Sequence, residues 1–177
     1  MPITISITET DYFLPEDGTV AQAKLLQLLS NTKECYMSAY AFTLKPMIDA
    51  ITKADAAGAV FHLLLDYSQE QDSEEKPLVL ALAASFKKNG HSTITITTAG
   101  LNSPQSDDIW HWKGFVVVNS DGTYTCWEGS TNFSDSAWFQ GNSCRVFQSS
   151  DWANQFIQQF QAHEAWARSN EPSYQVM

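Results

Sequence analysis

The sequence predicts a single α/β domain over residues 1–177, with a mixed, largely parallel central sheet sandwiched between helices. Three observations carry that expectation. At 177 residues the chain has the length of one domain rather than two. Its composition, 44% hydrophobic and only 17% charged, supplies a sizeable core and excludes a disordered or fibrous chain. Apolar or β-branched runs then alternate with segments of helical periodicity, as strands joined by crossover helices do.

Ile3 to Thr8 alternates Ile with Thr or Ser, the period of a half-buried strand. After the turn residues Pro15-Glu16-Asp17-Gly18, the set Val20, Ala23, Leu25, Leu26, Leu28 and Leu29 recurs at helical spacing and predicts a helix over about 19–31. Glu34 to Phe42 (ECYMSAYAF) reads as a strand, and Leu44 to Ala57 as a helix with Pro46 in its first turn, where the missing N–H costs nothing. Gly58 ends that helix. Val60 to Leu65 is almost continuously apolar, as a parallel strand covered on both faces requires, and Asp66 closes it. Ser68 to Lys76 is a solvated loop or helix entry, Pro77 to Asn89 the next helix, Gly90 its cap, and Ser92 to Thr98 (STITITT) a β-branched strand. The order β-α-β-α-β-α-β implies parallel pairing with helices on both faces.

The second half changes character. Trp112 to Val118 and Thr123 to Trp127 read as strands joined through Asn119-Ser120-Asp121-Gly122, an antiparallel hairpin signalled by Asp-Gly. Ser143 to Gln148 is a third strand, leading into a helix over about 152–168.

Ten Lys and Arg stand against twenty Asp and Glu, a formal net charge of −10. A surface that binds nucleic acid or anionic lipid over its whole extent needs many basic contacts, so any phosphate chemistry here is local. The start, MPITISITETDYF, lacks the basic stretch and apolar run of a secretory signal, and no segment approaches the roughly 18 consecutive apolar residues of a membrane span. A cytoplasmic or otherwise soluble chain is the expectation. Cys35, Cys126 and Cys144 are too far apart for a CxxC motif, and each sits in apolar or β-like surroundings, so they are expected reduced and buried.

Candidate chemistry gathers between Leu101 and Gly141, where small polar residues, aromatics and a histidine surround predicted strand ends. His111 and Lys113 lie two apart on a predicted strand, so their side chains share one face and Trp112 points to the other. An imidazole beside a fixed ammonium suits attack on, or retention of, a phosphate diester. Alone, such a pair is more often an ordinary surface pair.

His111-Trp112-Lys113, followed by a hairpin and Gly129-Ser130-Thr131-Asn132-Phe133-Ser134, resembles the phospholipase D superfamily. That family's signature runs His-x-Lys, four residues, Asp, then a hairpin return to Gly-Ser-x-Asn. AYAFTLKPMIDAITKADAAGAVFHLLLD resembles the family's upstream strand, helix and strand, so the likeness spans roughly residues 20–166. Two features depart from the pattern. The motif Asp falls on Val118, and Asp121 reads as a turn residue of the hairpin tip. At Asn142-Ser143-Cys144, where many members carry an acid that orients the histidine, none is present, which leaves Asn142 or Glu128 as its partner.

The resemblance implies a metal-independent phosphodiesterase without a cofactor. His111 would attack phosphorus and form a phosphohistidine, while Lys113 and Asn132 hold the non-bridging oxygens; Ser130, Glu128 and Asn142 would serve substrate binding. A second imidazole must protonate the leaving oxygen. His62 in a buried run, His91 after a helix cap and His163 on the last helix all lack the motif, so the resemblance implies a twofold homodimer that brings two copies of His111 together. His62 and Asp66 lack a third ligand for a metal, and His163-Glu164 is not HExxH. Small single-motif members point to nucleic acid as the substrate. The alternatives are a phospholipase D acting on phosphatidyl lipids, and a degenerate member that binds a phosphorylated ligand or a protein partner. Trp110, Trp112, Trp127, Phe133, Trp138 and Phe139 are read mainly as core, with stacking on nucleobases or contact with an apolar leaving group as their functional reading.

Overall fold

In a computed structural model that describes residues 9–98 and 109–177, seven strands form one sheet. They are β1 (Glu9–Leu14), β2 (Glu34–Ala39), β3 (Val60–Asp66), β4 (Thr93–Thr97), β5 (Gly114–Val118), β6 (Tyr124–Gly129) and β7 (Asn142–Phe147). Their spatial order is β1-β7-β6-β5-β2-β3-β4. The helices are α1 (Gly18–Ser30), α2 (Lys45–Ala56), the single turn α3 (Tyr67–Glu70), α4 (Glu75–Asn89) and α5 (Ser150–Asn170). The strand expected at Ile3 to Thr8 lies outside the described residues.

The α/β class and the mixed sheet between helical layers are as the sequence predicts, but the pairing is mainly antiparallel, not parallel. β2 with β3 and β3 with β4 run parallel, whereas β1–β7, β7–β6, β6–β5 and β5–β2 are antiparallel. The physical reason lies in the connections. Only a helix-length crossover returns a chain in the same direction, and α2 and α4 supply two of these; β5 and β6 are joined by a hairpin that can only reverse. Asp121 shapes its tip, accepting from the Thr123 N–H at 3.0 Å, which makes it the turn residue expected.

Alternation sorts side chains to two faces. Met37, Leu63, Phe115 and Trp127 join Leu25, Ile51, Val79 and Phe86 in a core beneath α1, α2 and α4. On the other face Leu64, Val116, Cys126 and Phe147 are covered by α5 through Ala153, Phe156 and Phe160. Each such fully buried Leu or Phe contributes about 1.5–3 kcal/mol. All three cysteines are unpaired and buried, and burial pushes their thiols up, so they stay neutral and inert.

The helix signals operate as read. Pro46 sits in the first turn of α2. Gly90 closes α4 in the left-handed region at φ 80°, its N–H donating to Phe86 O at 2.7 Å. Ser149 caps α5 by accepting from the Trp152 N–H at 3.2 Å.

Candidate active site

β5 lies between β2 and β6, with Gly114 opposite both Ser38 and Glu128. This insertion brings three things to one end of the sheet: the segment before β5, the carboxyl ends of β2 and β3, and the loop after β6. The ladder begins at Gly114, so His111-Trp112-Lys113 precedes the strand instead of opening it, a correction to the predicted Trp112–Val118 strand. Side-chain bonds hold the segment instead. The Trp110 N–H donates to Asp66 Oδ1 at 2.6 Å and its indole Nε1 donates to Ser38 Oγ at 2.6 Å. Lys113 Nζ turns back to donate to His111 O at 2.8 Å.

Lys113 is 8% exposed, and its ammonium lies 5.2 Å from the centre of the Tyr40 ring. The same ring meets His111 edge-on, with centroids 4.7 Å apart, and Gln69 Nε2 donates to the Tyr40 hydroxyl at 3.1 Å. Burial is the main cause that lowers the His111 pKa; the Lys113 ammonium adds to it, and Asp66 opposes both. Burial also lowers the Lys113 pKa. Partial desolvation and the neighbouring ammonium thus both favour the neutral imidazole, beside a cation partly stripped of water.

Sequence reasoning missed Tyr40 and Gln69, and weighed Asp66 only as a metal ligand. Asp66 is 1% exposed and accepts from Trp110 N–H, Gln69 N–H and the Ser68 hydroxyl, tying the residue ahead of His111 to the end of β3. The available signal was location: an aromatic just past one apolar strand and an acid closing the next, at the strand ends where open α/β sheets bind ligands.

After β6 the chain turns sharply through Gly129. A Cβ there would stand 2.2 Å from Ser143 O and 2.6 Å from Cys144 Cα, and φ is 157°. Gly129→Ala is expected to cost about 3 kcal/mol, read as a lowered midpoint of urea unfolding, because backbone on the neighbouring strand must move. Ser130 fastens the loop, its N–H donating to Ser143 O at 2.9 Å and its Oγ accepting from the Ser143 N–H at 3.1 Å. Beyond it Phe133 is fully buried and pairs with the chain after β2, its N–H reaching Ala41 O at 3.2 Å and its O accepting from Thr43 and Leu44. Asn132 is held between these anchors, with Oδ1 buried and without a partner among the described residues.

The two residues weighed as partners of His111 are committed elsewhere. Asn142 accepts from Ser130 Oγ at 3.2 Å and donates to Ala137 O at 3.0 Å, securing the loop. Glu128 pairs with Arg145, at 2.7 Å from Nε and 2.5 Å from Nη2, and Arg145 also reaches Glu9 at 3.0 Å. Glu128 does line a cavity of about 540 Å³ together with His111, Lys113 and, on α5, Trp152 and Phe156. Trp112 lines that cavity too, packed on Trp110 at 4.8 Å and Phe156 at 5.8 Å between centroids. It was expected on the opposite face, but strand alternation does not apply before Gly114.

The other histidines sit in packing. His62 is bonded to Glu34 at 3.0 Å and stacked on Tyr36 at 4.5 Å, the satisfied histidine expected. His91 lies 3.0 Å from Asp55. His163 rests on Trp110 at 4.5 Å, with burial lowering its pKa.

Glu75, on α4, supports the loop from behind. It is 1% exposed and accepts from the Phe42 N–H at 2.7 Å, while its Oε1 is buried without a partner among the described residues. Burial raises its pKa from 4.5 to about 7. Between those values the unfolded chain has lost the proton and the folded chain retains it, so stability falls as pH rises through that window. Glu75→Gln, which keeps an acceptor for Phe42, is expected to lessen the loss of unfolding free energy between about pH 5 and about pH 8 by on the order of 2 kcal/mol.

An imidazole, a buried ammonium and a Gly-Ser-x-Asn loop at one sheet end are the arrangement expected of a phospholipase D-like site. Residues 25–164 match the family model described as cardiolipin synthase, PLD-like domain, and the chain belongs to this phospholipase D-like family. No curated protein matches it by sequence. Among solved structures it is similar to Nuc from Salmonella typhimurium, a phospholipase D family member. The TM-score is 0.71 at 19% identity, over 89% of this chain and 94% of that one. It is also similar to NucT from Helicobacter pylori, with TM-score 0.74, 15% identity and coverage of 89% and 96%. The archaeal chromatin protein TrmBL2 shares the fold at TM-score 0.59 and 14% identity, over 94% of this chain and 55% of that one. Among the described residues no helix is long and apolar enough to cross a membrane.

Proposed function

We propose that this chain is a metal-independent phosphodiesterase that cleaves nucleic acid through a covalent phosphohistidine. The observation that carries the reading is the convergence of His111, buried Lys113 and the Asn132 loop on one end of the sheet. A ring nitrogen of His111 forms the bond to phosphorus as the bond to the leaving oxygen breaks. Lys113 and the Asn132 amide carry the charge that gathers on the non-bridging oxygens, and the preorganised loop of Ser130 and Asn142 keeps that amide in place. Glu128 borders the bound substrate. Protonation of the leaving oxygen, and later activation of water, falls to a second imidazole, the partner subunit's His111 in a twofold dimer. Nucleic acid is preferred as substrate because the chain carries one motif, as the small nuclease-type members it resembles do.

Single-stranded circular DNA incubated in EDTA is expected to be cut by the wild type and left intact by His111→Ala. Equal inertness of both chains on DNA, RNA and phosphatidylcholine would overturn the enzyme reading and leave a phosphate-binding protein. Cleavage of phosphatidylcholine alone would move the substrate to lipid. Sedimentation equilibrium should give twice the mass of the chain; a monomer with full activity would remove the shared site.

A further inference from the structure

We propose that the cavity beside His111 seats one unpaired nucleobase, that of the nucleotide bonded to the reacting phosphate. The inference rests on the phosphodiesterase reading and deepens it. The cavity's volume, about 540 Å³, lies within the roughly 300–1,000 Å³ of small-molecule pockets. It is continuous with His111 and Lys113, so the group attached to a phosphate held there extends toward Trp112 and α5. Trp112 is 40% exposed even though it packs on Trp110 and Phe156, which leaves aromatic surface at the cavity. Across from it α5 presents Gln155 and Gln159, both exposed and one helical turn apart, hence on one face.

These groups divide the work of holding a base. An indole offers a plane for the base's face, and each carboxamide offers donors and an acceptor for its edge. An acyl chain would desolvate both amides without giving them partners, which disfavours a lipid tail. A paired base has its edge taken and its faces covered, so only an unpaired one can enter. The net charge of −10 agrees with this mode, because stacking and neutral amides give affinity without the many phosphate contacts of a basic groove.

Fluorescein-labelled pentathymidylate, titrated by anisotropy into the His111→Ala chain, tests the seat without turnover. Adding Trp112→Ala, or Gln155→Ala with Gln159→Ala, is expected to weaken binding about tenfold, with Trp112→Phe restoring most of the loss. Both glutamines are solvent-exposed, so the double variant should keep the wild-type circular dichroism spectrum. A pentamer of equal charge lacking its bases should bind as weakly as the Trp112→Ala chain. Equal affinity for that pentamer or for the duplex, indifference to both sets of variants, or Trp112-dependent binding of phosphatidylglycerol vesicles in place of the oligonucleotide would overturn the seat. Hydrolysis of bis(p-nitrophenyl) phosphate, which has no base, separates the two readings. If it is His111-dependent while the oligonucleotide results fail, the seat falls and the phosphodiesterase stands; if it is absent while base-dependent binding persists, the reverse holds.

Discussion

Replacing His111 with alanine is expected, on the proposed phosphohistidine mechanism, to lower kcat for phosphodiester hydrolysis by about 10⁴-fold or more, because that mechanism assigns the attack on phosphorus to His111. The remaining imidazoles are held in packing: His62 with Glu34 and Tyr36, His91 against Asp55, His163 on Trp110. Stability should change little, since the side chain is exposed and substitutions of that kind fall within about 0.5 kcal/mol. Wild-type protein quenched in alkali during turnover should carry an alkali-stable, acid-labile phosphoryl group, and the variant none. An adduct on the variant, or retained turnover, would remove His111 as nucleophile.

Lys113→Met should slow the reaction less than His111→Ala does and leave the chain folded, at the loss of one bond, from Nζ to His111 O. On the proposed mechanism, which places this ammonium on the non-bridging oxygens, its loss is expected to reduce kcat by about 10²- to 10³-fold. Stability should hold or rise, and the sign follows from burial. Lys113 has its folded pKa depressed by desolvation, so the folded state bears the cost of the charge at every pH below that pKa and sheds it only as pH rises through the lysine range. Methionine, apolar and similar in length, removes the cost. Because Lys113 also helps lower the His111 pKa, the acid limb of kcat/KM should move to higher pH in the variant. A large loss of stability with an unchanged rate would make Lys113 a structural residue.

The stretch from β2 to β4 was the most legible in sequence. A continuous apolar run, VFHLLL, and punctuation at Pro46, Gly58 and Gly90 are local signals, and the helices and strands fall within a few residues of their expected limits. His111, Lys113 and the GSTN loop were legible because motif spacing survives in one dimension. The pairing of β5 with β2 was not, since alternation places a side chain on a face without naming the neighbouring strand. The commitment of Asn142 to Ala137 and of Glu128 to Arg145 was equally hidden.

The sequence by itself determined the α/β class, the three buried thiols, the candidate nucleophile with its lysine, and the loop that carries Asn132. The class and the thiols follow from composition and periodicity, which act over a few residues at a time; the candidate nucleophile, its lysine and the loop follow from the resemblance of their motifs to the phospholipase D superfamily. Only tertiary structure decided that β5 pairs antiparallel with β2 and β1 with β7, that Trp112 lines the cavity beside His111, and that Asp66, Gln69 and Tyr40 hold the segment before β5. These arise between segments dozens of residues apart, where the partner that leaves no buried polar group unsatisfied is chosen by the whole fold and not by the local chain.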